Sequence, residues 1–431
     1  MNTITFPSGL KGFVNTNTKE GITVTDKKIY LIDGRLESYS PACHVCGEKM
    51  HIHDTYDAAL NHLPYGNVLS VVRFPKHRYY CPKCKATQME EVGFQAAGHR
   101  ITEPLLNFTE DLLRQGITLK KVSYLTGLCR NVVKAIDRRR LESLYCKAGS
   151  TEWKAPAETP KVIGVDEFKL HDGHKYATII MSMETGHVLY IAKGRRKQVI
   201  YDFIEFVGEE WMENVEAVCC DMNSDYQEAF EERCAHIQCV FDYFHIKKNL
   251  NEKVISEVRK DEQVRLRSEG KDEEARKLKR TRFILTSSRA TLEKKDGRNG
   301  TATLAKYESL LKENELLCIA DIVKEKLTYA YTLTNESTMA KEITEIIDTC
   351  SSTMNKHFVW FARLLENHFE GIIAHATFRV SSGKVEGTNN KIKTIKRQGY
   401  GYPDDGYFFL KILDASRLNY VRNTESHKIR D

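Results

Sequence analysis

The chain has 431 residues, 41% of them hydrophobic and 10% aromatic, which excludes global disorder and calls for two to four folded units. Its 65 Lys and Arg against 59 Asp and Glu leave a net charge of +6, so a polyanionic partner has to be met by local basic patches. Nine prolines exclude a proline-rich or collagen-like chain, and no apolar run approaches the roughly 20 residues of a membrane span.

Residues 1–93 hold two Cys-x-x-Cys pairs, several His and short β-like runs. No export signal is read at the start, so the 12 cysteines are expected to be reduced, in the cytosol and without a membrane partner. Cys43 with Cys46, and Cys81 with Cys84, are two knuckles. Each presents two thiolates, and two together close a tetrahedral structural zinc site with no open position for catalysis. Their separation exceeds that of a compact ribbon. A strand hairpin that includes the run VLSVVRF, ending at Phe74, fills the gap.

Residues 94–150 read as helical. Thr118 caps a short helix that stops at Gly127, and a basic second helix follows. Val122 and Leu125 are placed to pack on Val133 and Ile136, which leaves Arg130, Asn131, Lys134 and Arg138 facing outward. This is the pattern of a helix-turn-helix, whose second helix enters a major groove. Arg and Asn are the side chains that read base edges and grip phosphates. A linker with Pro156 and Pro160 then marks a boundary.

Over residues 160–250 three strand-like runs precede a helix, a strand ending on Asp221, a helix and a fifth strand. Asp166 sits in the first, otherwise apolar, strand. Three antiparallel strands followed by alternating helices and strands give an α/β class. The order is that of an RNase H-like core, a mixed five-stranded sheet with helices. In it the first and fourth strands are neighbours, so Asp166 and Asp221 face each other. Paired carboxylates of this kind call for divalent metal, and two ions about 3.5–4 Å apart suit phosphoryl transfer.

Residues 251–374 are long, charged and helix-like, a helical insertion in which Trp360 reads as core. Residues 375–423 complete the catalytic core. There a helix starting at Lys384 places Glu386, Asn390, Lys393 and Arg397 on one face, an acid followed by DNA-gripping groups, with Val385, Thr388, Ile392 and Ile395 on the core face.

The segments CHVCG, CPKC, GVDEF, CCDMNSDY, FDYFHIKKNLN and SSGKVEGTNNKIKTIKRQGYGY resemble those of bacterial insertion-sequence transposases of the ISL-three family, DDE enzymes with a zinc-binding N-terminus, a helix-turn-helix and an RNase H-like domain. The resemblance implies that Asp166, Asp221 and Glu386 hold two Mg²⁺ or Mn²⁺ ions, and that His245, in Asp-x-x-His, sits near the scissile phosphate. It implies terminal inverted repeats and target DNA as partners, a homodimer or larger synaptic assembly, and a bacterial cytosolic, nucleoid-associated location. The competing readings are a DNA-binding regulator on an inert RNase H-like platform and a nuclease without strand transfer.

Overall fold

The computed structural model describes residues 10–23, 26–37, 41–173, 175–222, 224–381 and 383–418. The chain divides into two compact units, Met1–Lys154 with Lys396–Asp431, and Ala155–Ile395. Among the described residues no helix is long and apolar enough to cross a membrane.

The first unit opens with β1 (Phe13–Ile22), β2 (Lys28–Leu36), β3 (His51–Tyr65), β4 (Val68–Tyr80) and β5 (Thr87–Met89). The sheet order is β1-β2-β4-β3, with β5 on β4. The hairpin of β3 and β4 spans the gap between the cysteine knuckles and turns at Gly66, whose φ of 61° suits glycine. Alternation along β4 buries Ser70, Val72 and Phe74 on one face. Phe74 meets Phe13 and Phe94 edge-on, with ring centroids 6.2 and 5.6 Å away.

Three helices follow: α1 (Glu103–Arg114), α2 (Leu119–Thr126) and α3 (Arg130–Tyr145). Thr118 caps α2 through the Lys121 N–H, and Gly127 ends it in the left-handed conformation at φ 72°. A Cβ at Gly127 would sit 2.6 Å from Leu69 Cδ1, so a larger residue would also have to push the end of that side chain aside. Val122, Leu128, Val133 and Ile136 share one core. Leu125, expected there, is exposed, and Leu128 in the turn takes its place.

The second unit holds β6 (Val162–His171), β7 (Lys175–Ser182), β8 (Val188–Lys193), α4 (Lys197–Val207), β9 (Ala217–Cys219), α5 (Ser224–Arg233), β10 (Gln238–Val240) and α6 (Tyr243–Asn249). The sheet order is β10-β9-β6-β7-β8. The first three strands pair antiparallel, while β6, β9 and β10 run parallel. Ile163, Val165, Ile180 and Leu189 pack against Phe203 of α4 and Tyr226 and Phe230 of α5. Because side chains alternate along β6, Gly164 and Asp166 point to the other face.

After a π-helical turn at Leu250–Ile255, residues to 378 are helical and include α7 (Ser256–Ser268), α8 (Glu315–Ala330), α9 (Glu336–Ser352) and α10 (Lys356–Asn367). Their apolar stripes join the sheet in a single core cluster. Phe241 at the end of β10 donates its N–H to the Gly371 carbonyl at 2.9 Å. A Cβ on Gly371 would meet the Phe241 ring at 2.5 Å. Helix α11 (Gly383–Gln398) follows, and the boundary between the units falls within it.

Residues 375–423 are expected to complete the core that holds Asp166 and Asp221, but the last described helix, α12 (Asp405–Ser416), packs on α3 in the first unit; residues 419–423 lie outside the described residues. The reason is a buried polar network. Arg140 on α3 holds Asp414 through two hydrogen bonds, of 3.2 and 2.8 Å, and reaches Asp137 at 2.9 Å. Tyr407 and Lys411 on α12 donate to the second oxygen of Asp137, at 2.6 and 2.9 Å. Burial would raise the Asp137 pKa, but Lys411, the Tyr407 hydroxyl and Arg140 hold it below the usual carboxylate value. Arg140→Ala is therefore expected to destabilise the first unit by about 3–5 kcal/mol, because two carboxylates lose their guanidinium inside the fold. Urea unfolding of the full chain checks this. The lowered Asp137 pKa adds stability above the unfolded value near 4, which is lost as the pH falls through the folded value.

Candidate active site

Asp166 lies midway along β6, just past the stretch that pairs with β9, and Asp221 lies two residues beyond the end of the parallel neighbour β9. Gly164 pairs with Cys219 in register, and each aspartate lies two residues further on. Asp166 is partly buried, whereas Asp221 is exposed and accepts the Met222 N–H at 2.7 Å. Burial raises the Asp166 pKa. The Glu167 N–H and the charge of His245 act the other way, and the nearby Asp221 carboxylate adds to the rise.

The second face of β6 is covered by α11. A Cβ at Gly164 would lie 3.2 Å from Val385 Cγ2 and 2.5 Å from Met183 Sδ, so the glycine of GVDEF lets the helix approach the strand. Lys384 Nζ donates to the carbonyls of Met183 and Glu184, at 2.7 and 2.5 Å. Val385, Asn389 and Ile392 form the buried stripe of α11. Asn389 Nδ2 donates to Asp166 Oδ2 at 2.5 Å. Glu386 is exposed in the first turn, one turn before Asn389. The structure thus brings the glutamate's helix onto Asp166. The three carboxylates are not drawn into one ligand set: among the described residues, only the four cysteines form a group with ligand atoms all within 4.8 Å. The sequence reading of the core stripe takes Thr388 and Ile395 and misses Asn389, although a period of 3.6 counted from Val385 and Ile392 points to it.

His245 lies in the first turn of α6, capped by Asp242, which is 2% exposed. Asp242 Oδ1 accepts from the His245 backbone N–H at 3.2 Å and pairs with Nδ1 at 3.0 Å, which fixes the ring. Burial disfavours the imidazolium. The Asp242 hydrogen bond and the charges of Asp221, Asp242 and Asp166 outweigh it, so the His245 pKa is raised.

The expected DNA-facing groups divide. Arg130 and Asn131 at the start of α3 are exposed. Lys134 and Arg138 are half-buried and both pair with Asp404 Oδ2, at 3.2 and 2.9 Å; Arg138 also holds Glu142 at 2.7 Å. On α11, Asn390, Lys393 and Arg397 are exposed. Trp360 is not core: it is 40% exposed and, with Arg259, Lys260, Arg282 and His357, lines a cavity of about 580 Å³ in the helical insertion.

The four cysteines Cys43, Cys46, Cys81 and Cys84 converge, with Sγ···Sγ distances of 3.3, 3.6 and 3.7 Å. A tetrahedral Zn–S₄ site needs about 3.8 Å between sulfurs, so the set fits zinc closely. Each knuckle is closed by a backbone hydrogen bond, from Gly47 to Cys43 at 2.8 Å and from Lys85 to Cys81 at 3.0 Å. The donating residue is left-handed in both, at φ 72° for Gly47 and 63° for Lys85. The thiols split within the cluster: the Val45 N–H pulls Cys43 down to about 6 and the Cys84 N–H lowers Cys81, while their hydrogen-bonding partners Cys46 and Cys84 are pushed up.

Residues 163–412, more than half of the chain, match the transposase family model DDE_Tnp_ISL3. The chain is 27% identical over 375 residues to the transposase for insertion sequence element IS1001 of Bordetella parapertussis, covering 86% of this chain and 88% of that protein. It is 26% identical over 259 residues to the transposase for insertion sequence element IS1557 of Mycobacterium tuberculosis, covering 56% of each. The matched family segment contains Asp166, Asp221, His245, Glu386 and Asn389. The chain belongs to the ISL3 family of DDE transposases.

Proposed function

We propose that this transposase binds the terminal inverted repeats of its own element and performs divalent-metal-dependent strand cleavage and strand transfer on an RNase H-like core. The observation that carries the reading is that Asp166 on β6 and Asp221 after β9 each lie two residues past the in-register pair Gly164–Cys219, with the Glu386 helix held on Asp166. The sheet order β10-β9-β6-β7-β8 supports the RNase H-like assignment.

The donor set fits a hard cation: carboxylate oxygens from Asp166, Asp221 and Glu386, of which Asp166 is destabilised as an anion by burial. Bound there, Mg²⁺ or Mn²⁺ would supply Lewis-acid stabilisation and a more acidic water. The chain's own residues hold the reacting groups. In cleavage, a water oxygen forms a bond to phosphorus, the P–O3′ bond breaks, and the 3′-oxygen takes up a proton. In transfer, that 3′-hydroxyl attacks a target phosphodiester and releases a target 3′-hydroxyl, so no covalent protein–DNA intermediate is required. His245, oriented by Asp242, is placed to contact the scissile phosphate. Arg130 and Asn131 on α3 contact the repeats, with Lys134 and Arg138 available once Asp404 is displaced. Asn390, Lys393 and Arg397 grip backbone near the acid. The zinc-bearing sheet fixes register. Two ends must be held at once, so the working form is a homodimer or larger assembly.

The test is incubation of the full chain with Mg²⁺, a duplex carrying the element's ends and a second, unrelated duplex. Nicking at the ends with 3′ ends joined to the second duplex is expected. Binding without nicking identifies a regulator, and nicking without joining identifies a nuclease.

A further inference from the structure

An amide in the middle of an apolar stripe needs a reason. Asn389 is 9% exposed and stands between Val385 and Ile392, a position where leucine would bury more apolar surface at no polar cost. Its Nδ2 is committed to Asp166 Oδ2, while Asp166 Oδ1 accepts the Glu167 N–H at 2.7 Å. The amide cannot be turned around, because that would set its oxygen against the carboxylate oxygen. The remaining atom, Asn389 Oδ1, is buried without a hydrogen-bond partner. A buried acceptor left unpaired costs about 1–3 kcal/mol. An amide oxygen is also a hard donor of the kind Mg²⁺ and Mn²⁺ take. It projects from the same part of α11 as Glu386, at the helical spacing that makes two side chains neighbours.

We propose that Asn389 is a further member of the metal-binding set, its Nδ2 fixing the Asp166 carboxylate and its Oδ1 serving as an additional oxygen donor to the divalent ion. The proposal rests on the metal-dependent reading above. It explains why α11 is pinned to β6: the residue that touches Asp166 rides on the same helix as Glu386, so seating one helps seat the other.

The experiment uses the full, zinc-loaded chain without DNA and reads Mn²⁺ binding by calorimetry, alongside thermal unfolding with and without Mn²⁺. Asn389→Leu removes an unpaired acceptor and also the donor to Asp166, two effects of opposite sign. It is therefore expected to unfold within a few degrees of wild type without Mn²⁺, yet to bind Mn²⁺ at least ~10-fold more weakly. Asn389→Asp places a second carboxylate against Asp166. It is expected to unfold earlier without Mn²⁺ and to gain more from Mn²⁺ than wild type does. Asp166→Asn serves as the reference. Wild-type Mn²⁺ affinity in Asn389→Leu, with weakened binding in Asp166→Asn, removes Asn389 from the set and leaves the metal reading standing. Unchanged affinity in both variants overturns the metal reading and this proposal with it.

Discussion

Asp166→Asn is expected to abolish strand cleavage, by ~10³-fold or more, while the chain unfolds within about 2 °C of wild type or slightly later. The two halves have one cause. Burial raises the Asp166 pKa, so the folded protein disfavours the carboxylate that neutral pH imposes on it. That cost appears as the pH rises above the unfolded value near 4 and is complete above the raised folded value. Asparagine removes the charge but keeps one acceptor oxygen where Asp166 has two, so its NH₂ must face either the Asn389 amide or the Glu167 N–H. The lost hydrogen bond offsets the relief of the buried charge at neutral pH, while the strongest hard ligand on β6 is removed. Binding to the element's ends, a property assigned to the other unit, is expected to be unchanged. Gel-based cleavage, retardation of end DNA and a melting curve on one preparation check all three. Retained cleavage, or a large drop in melting temperature, would remove Asp166 from the role assigned to it.

Much of that site was legible in the sequence, and its gaps have physical causes. Asp166 and Asp221 follow apolar runs that can only be strands, and the strand order makes them neighbours. Glu386 follows from helical periodicity. Asn389 escaped notice because a polar residue in a core stripe looks like an error in the period; only the partner across the interface, Asp166, explains it. The sequence places Lys134 and Arg138 on an outward face, but nothing in it pairs them with Asp404, which lies far along the chain. The placement of α12 escaped for a similar reason. Its pattern shows that it is buried on nearly every side, but which surface it covers is decided by Arg140, Asp137 and Asp414 finding one another. Trp360 looked like core because large aromatics usually are. In the folded insertion it lines a cavity instead, among charged groups that a sequence reading cannot bring together.

Removing zinc, by a strong chelator or by Cys84→Ser, is expected to melt the knuckle region and to lower affinity for end DNA by ~10²-fold or more. The sheet of β1–β4 has its own core of Phe13, Ile32, Leu60, Val72, Phe74 and Phe94. Among the described residues the knuckles bury only Cys43, Met50, Tyr79 and Cys81 together, with Cys46, Cys84 and Ala86 partly buried against them. Four residues cannot offset the entropy of ordering two turns, one of which holds Lys85 in a left-handed conformation. A structural zinc site contributes about 10–16 kcal/mol in small domains, more than the whole stability of many of them. The loss is therefore expected to be local and complete. Hydrogen exchange should quicken over residues 41–50 and 79–89, stay slow in the paired middle of β3 and β4, and not change in β6–β8. Slow exchange at the knuckles after chelation, or purified chain carrying no zinc, would show that the sulfurs hold one another without an ion. End recognition would then have to come from α3 alone.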